Sequence, residues 1–221
     1  MSNQYGNQEK REVSNFSSLL FRGMGRVELR QGDHEELVIF AQPEICSRIK
    51  TVVQDGVLSI DYQENWKDWT GIRSLSGDKI VFSITMKEIK SLSLTSVGSL
   101  DTPKIESPNL SLMISGPGLI TVGELNTASL AVNLSGVGVI DLAGKAEEMS
   151  ANMSGAGSLK AGRLEAGNVS IQLGGVGTAT VWAQKTMNAS ISGAGVIEYY
   201  GNPEITQNNQ GLGVLKPLGN R

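Results

Sequence analysis

A four-residue motif, S-G-x-G or a near variant, recurs at a nearly fixed interval over the last two thirds of the chain, and this constrains the fold more than any other feature. It occurs as Thr95-Ser96-Val97-Gly98, Ser115-Gly116-Pro117-Gly118, Ser135-Gly136-Val137-Gly138 and Ser154-Gly155-Ala156-Gly157. It continues as Gly174-Gly175-Val176-Gly177, Ser192-Gly193-Ala194-Gly195 and Gln210-Gly211-Leu212-Gly213. Successive closing glycines, from Gly98 to Gly213, lie 20, 20, 19, 20, 18 and 18 residues apart. A period of that length is the mark of a repeat architecture, in which each unit is one supersecondary element stacked on the next.

The flanks show what the unit is. Before each motif apolar residues alternate with polar ones, as in Leu130, Val132, Leu134 and again in Val169, Ile171, Leu173. After it a second alternation follows, as in Ile140 and Leu142 or Ala179 and Val181. Period two is the strand period. A third apolar anchor such as Leu125 or Leu164 completes each unit. Residue types repeat position by position, which stacking of each position on its own copy explains and antiparallel hairpins do not. One coil alone buries too little apolar surface to offset its ordering entropy, so neighbours must supply the core and the ladder. The expected fold is all-β, a right-handed parallel β-helix of about seven coils. The glycines Gly98, Gly118, Gly138, Gly157, Gly177, Gly195 and Gly213 are its structural corners, needed for a positive φ or a close approach of stacked backbones.

Residues 11–80 are less regular. Arg22-Gly23-Met24-Gly25 is a corner of the same type, which adds Gly25 to the structural glycines. Phe16 to Phe21, Leu37 to Ala41 and Ile49 to Val53 are expected strands, Pro43 to Arg48 one helical turn, and Asp55-Gly56 a hairpin turn into Val57 to Tyr62. This irregular part is expected to cap the first coil, since an open ladder end templates aggregation. Residues 64–79 are expected to form a loop, and residues 1–10 a disordered tail. The domain organisation is therefore a single β-helix domain over 11–221, with regular coils from 81 onward.

Composition narrows the function. Net charge is −3 with no basic cluster, which argues against a nucleic-acid partner. No apolar run is long enough for a membrane-spanning helix. Cys46 is the one cysteine, so neither an internal disulfide nor a cysteine zinc site is expected; a small buried hydrophobe is the expectation. His34 sits between Asp33 and Glu35 in a polar turn and is expected at the surface. Calcium β-rolls carry an Asp in each turn, where this chain has Ile120, Ile140, Leu159, Ala179 and Ile197, so calcium in the turns is excluded. No helix follows the glycines, so they are not phosphate loops, and no G-x-S-x-G elbow occurs. The acidic residues Glu124, Asp141, Glu147, Glu165 and Glu198, placed in register against the corner glycine, form no obvious column. No catalytic residue, metal or cofactor is assigned. Trp66 and Trp69, in the expected loop, are the candidate binding residues, because exposed aromatics stack on sugars or anchor a protein partner. Trp182 is the weaker candidate.

The chain resembles the bacterial GIN domain family, the putative auto-transporter adhesin head domain. The carrying residues are Arg11 to Phe16, Gln31-Gly32-Asp33, Val53 to Ile60, the successive corners and Tyr200-Gly201-Asn202-Pro203. The resemblance implies a right-handed β-helix in exported or lipid-anchored bacterial proteins with no established enzymatic activity. It departs from the pattern at Gly174, where Ser is expected, and at Gln210. The functional expectation is a non-catalytic envelope or surface module that contacts a protein or glycan and is open to homo-oligomerisation. The alternatives are a carbohydrate-active β-helix enzyme with a degenerate site and a purely structural, self-assembling envelope component. The expected location is extracytoplasmic, at periplasm or cell surface with the leader absent from this stretch, or cytoplasmic if the chain is complete as written.

Overall fold

The structure is a computed structural model that describes residues 8–62 and 80–221. It is a parallel β-helix. From residue 91 onward each coil contains a strand that enters the glycine corner, a strand that leaves it, and a shorter third segment. We call the corresponding sides faces A, B and C. Face A is built from β8 (Ser91–Leu94), β10 (Asn109–Ile114) and the closing halves of β11 (Pro117–Leu134), β12 (Val137–Met153), β13 (Ala156–Leu173) and β14 (Val176–Ile191), ending in β16 (Glu204–Asn209). Face B is built from β9 (Gly98–Glu106), the opening halves of β11 to β14, β15 (Ala194–Tyr200) and β17 (Val214–Gly219). Every pairing in this stack is parallel, and like positions meet, as in Leu130↔Met149 and Gly118↔Gly138. The seven corners bound about six full turns, one fewer than the expected coil count, because seven corners enclose six intervals.

The interior is dry and aliphatic. Leu134, Met153, Leu173 and Ile191 stack in one column and Ile120, Ile140, Leu159, Ala179 and Ile197 in another, and all are buried. The third anchors Leu125 and Leu164 are buried as well. At the corner the requirement is close approach, not positive φ. A Cβ on Gly157 would collide with the carbonyl oxygen of Gly138, and one on Gly138 with that of Gly118. Of the corner glycines only Gly25 has a positive φ, at 140°. Backbone bonds seal the bend, with Gly155 N–H donating to Leu134 O at 3.0 Å and Ala156 N–H to Gly136 O at 3.0 Å.

Coil length varies only away from this corner. Register breaks fall between Val122 and Leu125, between Asp141 and Ala143 and between Ala161 and Glu165, where face B turns into face C, and between Ala166 and Asn168, where C turns into A. Ladder pairing on face A is unbroken through these coils.

The N-terminal part is ordered in space differently from its order in sequence. β2 (Ser18–Phe21) and β3 (Gly25–Gln31) form a rung laid on β8 and β9, with Gly25 opposite Gly98, so the early corner is a true member of the stack. On the other side of that rung lie β6 (Val57–Tyr62) and β7 (Val81–Met86), both parallel to it. The chain thus steps from β7 over the β2–β3 rung to reach β8. β5 (Ile49–Gln54) adds antiparallel to β6 through a turn whose Asp55 and Gly56 have φ of 51° and 76°. β4 (Glu36–Phe40) adds antiparallel to β7, and β1 (Gln8–Arg11) to β4. Residues 8–10, expected in a disordered tail, are strand. Among the described residues the one α-helical turn is α1 (Pro43–Cys46). This cap has its own aromatic core, in which Phe21 meets Phe82 edge to face at 5.1 Å.

A charge-free face as candidate functional site

Alternation puts every second residue of each face outward, and unbroken register turns these residues into straight columns. On face A two such columns run the length of the stack. One passes through Val57, Ser18, Ser91, Ser111, Ala131, Ser150, Ser170, Asn188 and Thr206. The other passes through Ser59, Leu20, Ser93, Met113, Asn133, Asn152, Gln172, Ser190 and Asn208. None of these side chains is charged, although 19% of the chain is. At about 4.8 Å per rung the two columns extend for about 38 Å. The result is a ladder dominated by hydroxyl and amide groups that both donate and accept hydrogen bonds, interrupted by Val57, Leu20, Ala131 and Met113. The next column on this face is the margin, where Glu148 and Glu204 appear.

The other faces are the reverse. Their charges cluster, and they pair between neighbouring rungs. Arg26 Nε lies 3.2 Å from Asp101, Arg163 Nη2 2.9 Å from Asp141, and Lys216 Nζ 3.1 Å from Glu198. Lys104 lies between Glu106 at 2.7 Å and Glu124 at 3.8 Å, and the Glu106 hydrogen bond pushes the lysine up from its ordinary pKa. Lys145 reaches Glu165 at 3.9 Å. Four of the five acidic residues singled out from the sequence therefore serve as inter-rung partners of a cation. Among the described residues no three His, Cys, Asp or Glu side chains converge on one point. A shallow open groove follows the bend from face C to face A past Glu106, Asn126, Lys145 and Gln184; it carries these same paired charges.

Of the residues singled out earlier, Trp66 and Trp69 lie outside the described residues. β6 ends at Tyr62 and β7 begins at Val81. Tyr62 is anchored there, its hydroxyl donating to Met24 O at 2.9 Å, and burial pushes the phenol well above its ordinary pKa. Trp182 stands half-buried in register with Tyr200, and the Arg221 guanidinium lies over both rings, 6.0 Å and 5.3 Å from their centres. His34 is exposed and held by Asp33 at 2.7 Å. Cys46 is buried, and desolvation raises its thiol pKa, which leaves it a poor nucleophile. The face A columns could have been found from sequence by aligning each unit on its corner and reading only the polar positions.

The family model described as "Putative auto-transporter adhesin, head GIN domain" matches residues 15–203. No curated protein sequence matches the chain significantly. Among solved structures, a putative adhesin from Bacteroides fragilis NCTC 9343 is similar at TM-score 0.88 and 24% identity, covering 96% of each chain. A putative lipid binding protein from Parabacteroides distasonis ATCC 8503 is similar at TM-score 0.72 and 20% identity, covering 98% of each. A putative adhesin from Parabacteroides merdae ATCC 43184 is similar at TM-score 0.68 and 20% identity, covering 98% of this chain and 97% of that one. At these identities the likeness establishes a shared fold.

Proposed function

Because the chain belongs to the putative auto-transporter adhesin, head GIN domain family, we propose that it is a non-catalytic, extracytoplasmic adhesion module whose face A binds a neutral glycan. The observation that carries this reading is the segregation of charge. Inter-rung ion pairs occupy faces B and C, while the two central outward columns of the straightest and most regular face carry no charge and are rich in Ser, Asn, Gln and Thr. Such a surface presents hydrogen-bonding groups to hydroxyls with no ion to desolvate. A rigid parallel ladder also spends little conformational entropy on binding.

A panel of neutral and anionic glycans tests this. Binding is expected to favour neutral members and to change little between about 0.05 and 0.5 M salt, because no ion pair forms. Asn152→Lys with Asn133→Lys should abolish it, and Lys160→Glu on face B should not. Preference for anionic glycans, or full binding by the double variant, overturns the reading.

Trp66 and Trp69 enter as a second contact. Aromatic side chains stack on sugar rings, which is the chemistry these two tryptophans would add. Trp66→Ala with Trp69→Ala should weaken glycan binding while leaving the melting temperature unchanged; undiminished binding removes the segment from the site. Release of reducing sugar from the panel would instead support a carbohydrate-active enzyme.

A further inference from the structure

The third residue of each corner motif is apolar in all seven copies, yet it points into solvent. Val97, Val137, Val176 and Leu212 are 54%, 60%, 63% and 90% exposed. Pro117, Ala156 and Ala194 occupy the places between them, and Pro117, Val137, Ala156, Val176 and Ala194 stack in direct register. The corner itself does not ask for these side chains, since Ala156 and Ala194 build the same bend as Val137 and Val176. The neighbouring outward column on face B, from Ser99 to Val214, is also uncharged. The corner edge is therefore a narrow aliphatic ridge parallel to the stack axis.

From Val137 onward the ridge alternates large and small: Val137, Ala156, Val176, Ala194, Leu212. A second copy of the chain, laid antiparallel with a two-fold axis between Ala156 and Val176, meets this pattern with its complement. Val176 then faces Ala156 of the second copy, Val137 faces Ala194, and Leu212 faces Pro117. Val137, Val176 and Leu212 each enter the gap left by a smaller side chain. Parallel packing sets Val on Val and Ala on Ala, and an antiparallel axis through Ala156 opposes Val137 to Val176. Any other partner must reproduce a period of about 4.8 Å in the same alternation, which a second copy does by construction. No charge is desolvated by the contact.

We propose that the corner ridge is a self-association surface through which two copies pack side by side in an isologous, antiparallel dimer. The six rungs from Pro117 to Leu212 span about 24 Å. A ridge two columns wide over that length buries only a few hundred Å² per copy, short of the ~800 Å² typical of stable complexes. The dimer is accordingly weak and concentration-dependent, with face A of both copies left free.

Sedimentation equilibrium of the full chain from about 10 μM to 1 mM tests this; association in that range corresponds to modest affinity. A monomer–dimer equilibrium is expected. Ala156→Val should raise the dissociation constant about tenfold, because the two-fold repeats the misfit twice. Adding Val176→Ala restores a large residue opposite a small one and should bring the constant back to within about threefold of the parent. Both sites are exposed, so melting should be unchanged. If Ala156→Val does disturb it, Val137→Lys serves in its place: loss of the dimer upholds the ridge, and retention overturns it. A strictly monomeric profile, Ala156→Val associating like the parent, or a double variant no better than the single one also overturns the proposal.

Discussion

The two halves of a single coil obey different rules. From strand A through the corner into strand B, register is unbroken, the interior repeats, and the two central outward columns of strand A lack charge. From the end of face B through face C, residues are gained or lost between coils, Gly144 adopts a φ of 125°, and charges pair across rungs. The difference teaches where this fold tolerates change. A bend between faces absorbs an extra residue as a bulge, whereas a strand cannot, because one added residue turns every following side chain over. The invariable half is also the flat half, and a flat periodic surface suits recognition of an extended partner.

The same small change made on the two halves should break or confirm this contrast. One residue inserted between Ala151 and Asn152 should abolish cooperative folding, because Met153 would be turned outward from a buried position. Inserted beside Gly144, it should cost a few degrees of melting temperature, measurable by circular dichroism. Equal damage from both insertions would end the distinction.

The next largest effect is expected at the corner. Gly157→Val places a side chain against the Gly138 carbonyl and should destabilise by more than about 3 kcal/mol in denaturant titration, as overpacking against backbone does. Ile171→Ala, which empties a buried position in the coil centre, should cost about 2–5 kcal/mol in the same titration. The charged half should respond least. Lys145→Ala removes an exposed pair with Glu165 and should change stability by less than about 0.5 kcal/mol. A loss comparable to that of Ile171→Ala would mean that the ion pairs, and not the interior columns, hold the coils together.

Legibility followed the same division. The corners, the interior columns, the third anchors and even the early corner at Gly25 were readable, because period two and a fixed repeat specify them residue by residue. The Asp55-Gly56 turn and the turn at Pro43 were readable from local chemistry alone. The face A columns are not legible in any one unit: outward Ser and Asn are what any solvated strand carries, and only their alignment in register reveals an unbroken surface. The pairing of Asp141 with Arg163 is not legible for a related reason, since the number of residues at that bend changes from coil to coil.

By itself the sequence determined that like positions stack, since a repeat whose single units cannot fold has no other way to bury its apolar residues. It also determined that glycine stands wherever stacked backbones touch. Tertiary structure alone decided the order of the rungs at the N-terminal end, where β2 and β3 lie between β6–β7 and β8. Chain order fixes which strands are neighbours only when connections are short. Residues 32–56 form a long excursion through β4, α1 and β5, long enough to carry the chain past its own first rung, and burial of Phe21 against Phe82 then rewards that placement.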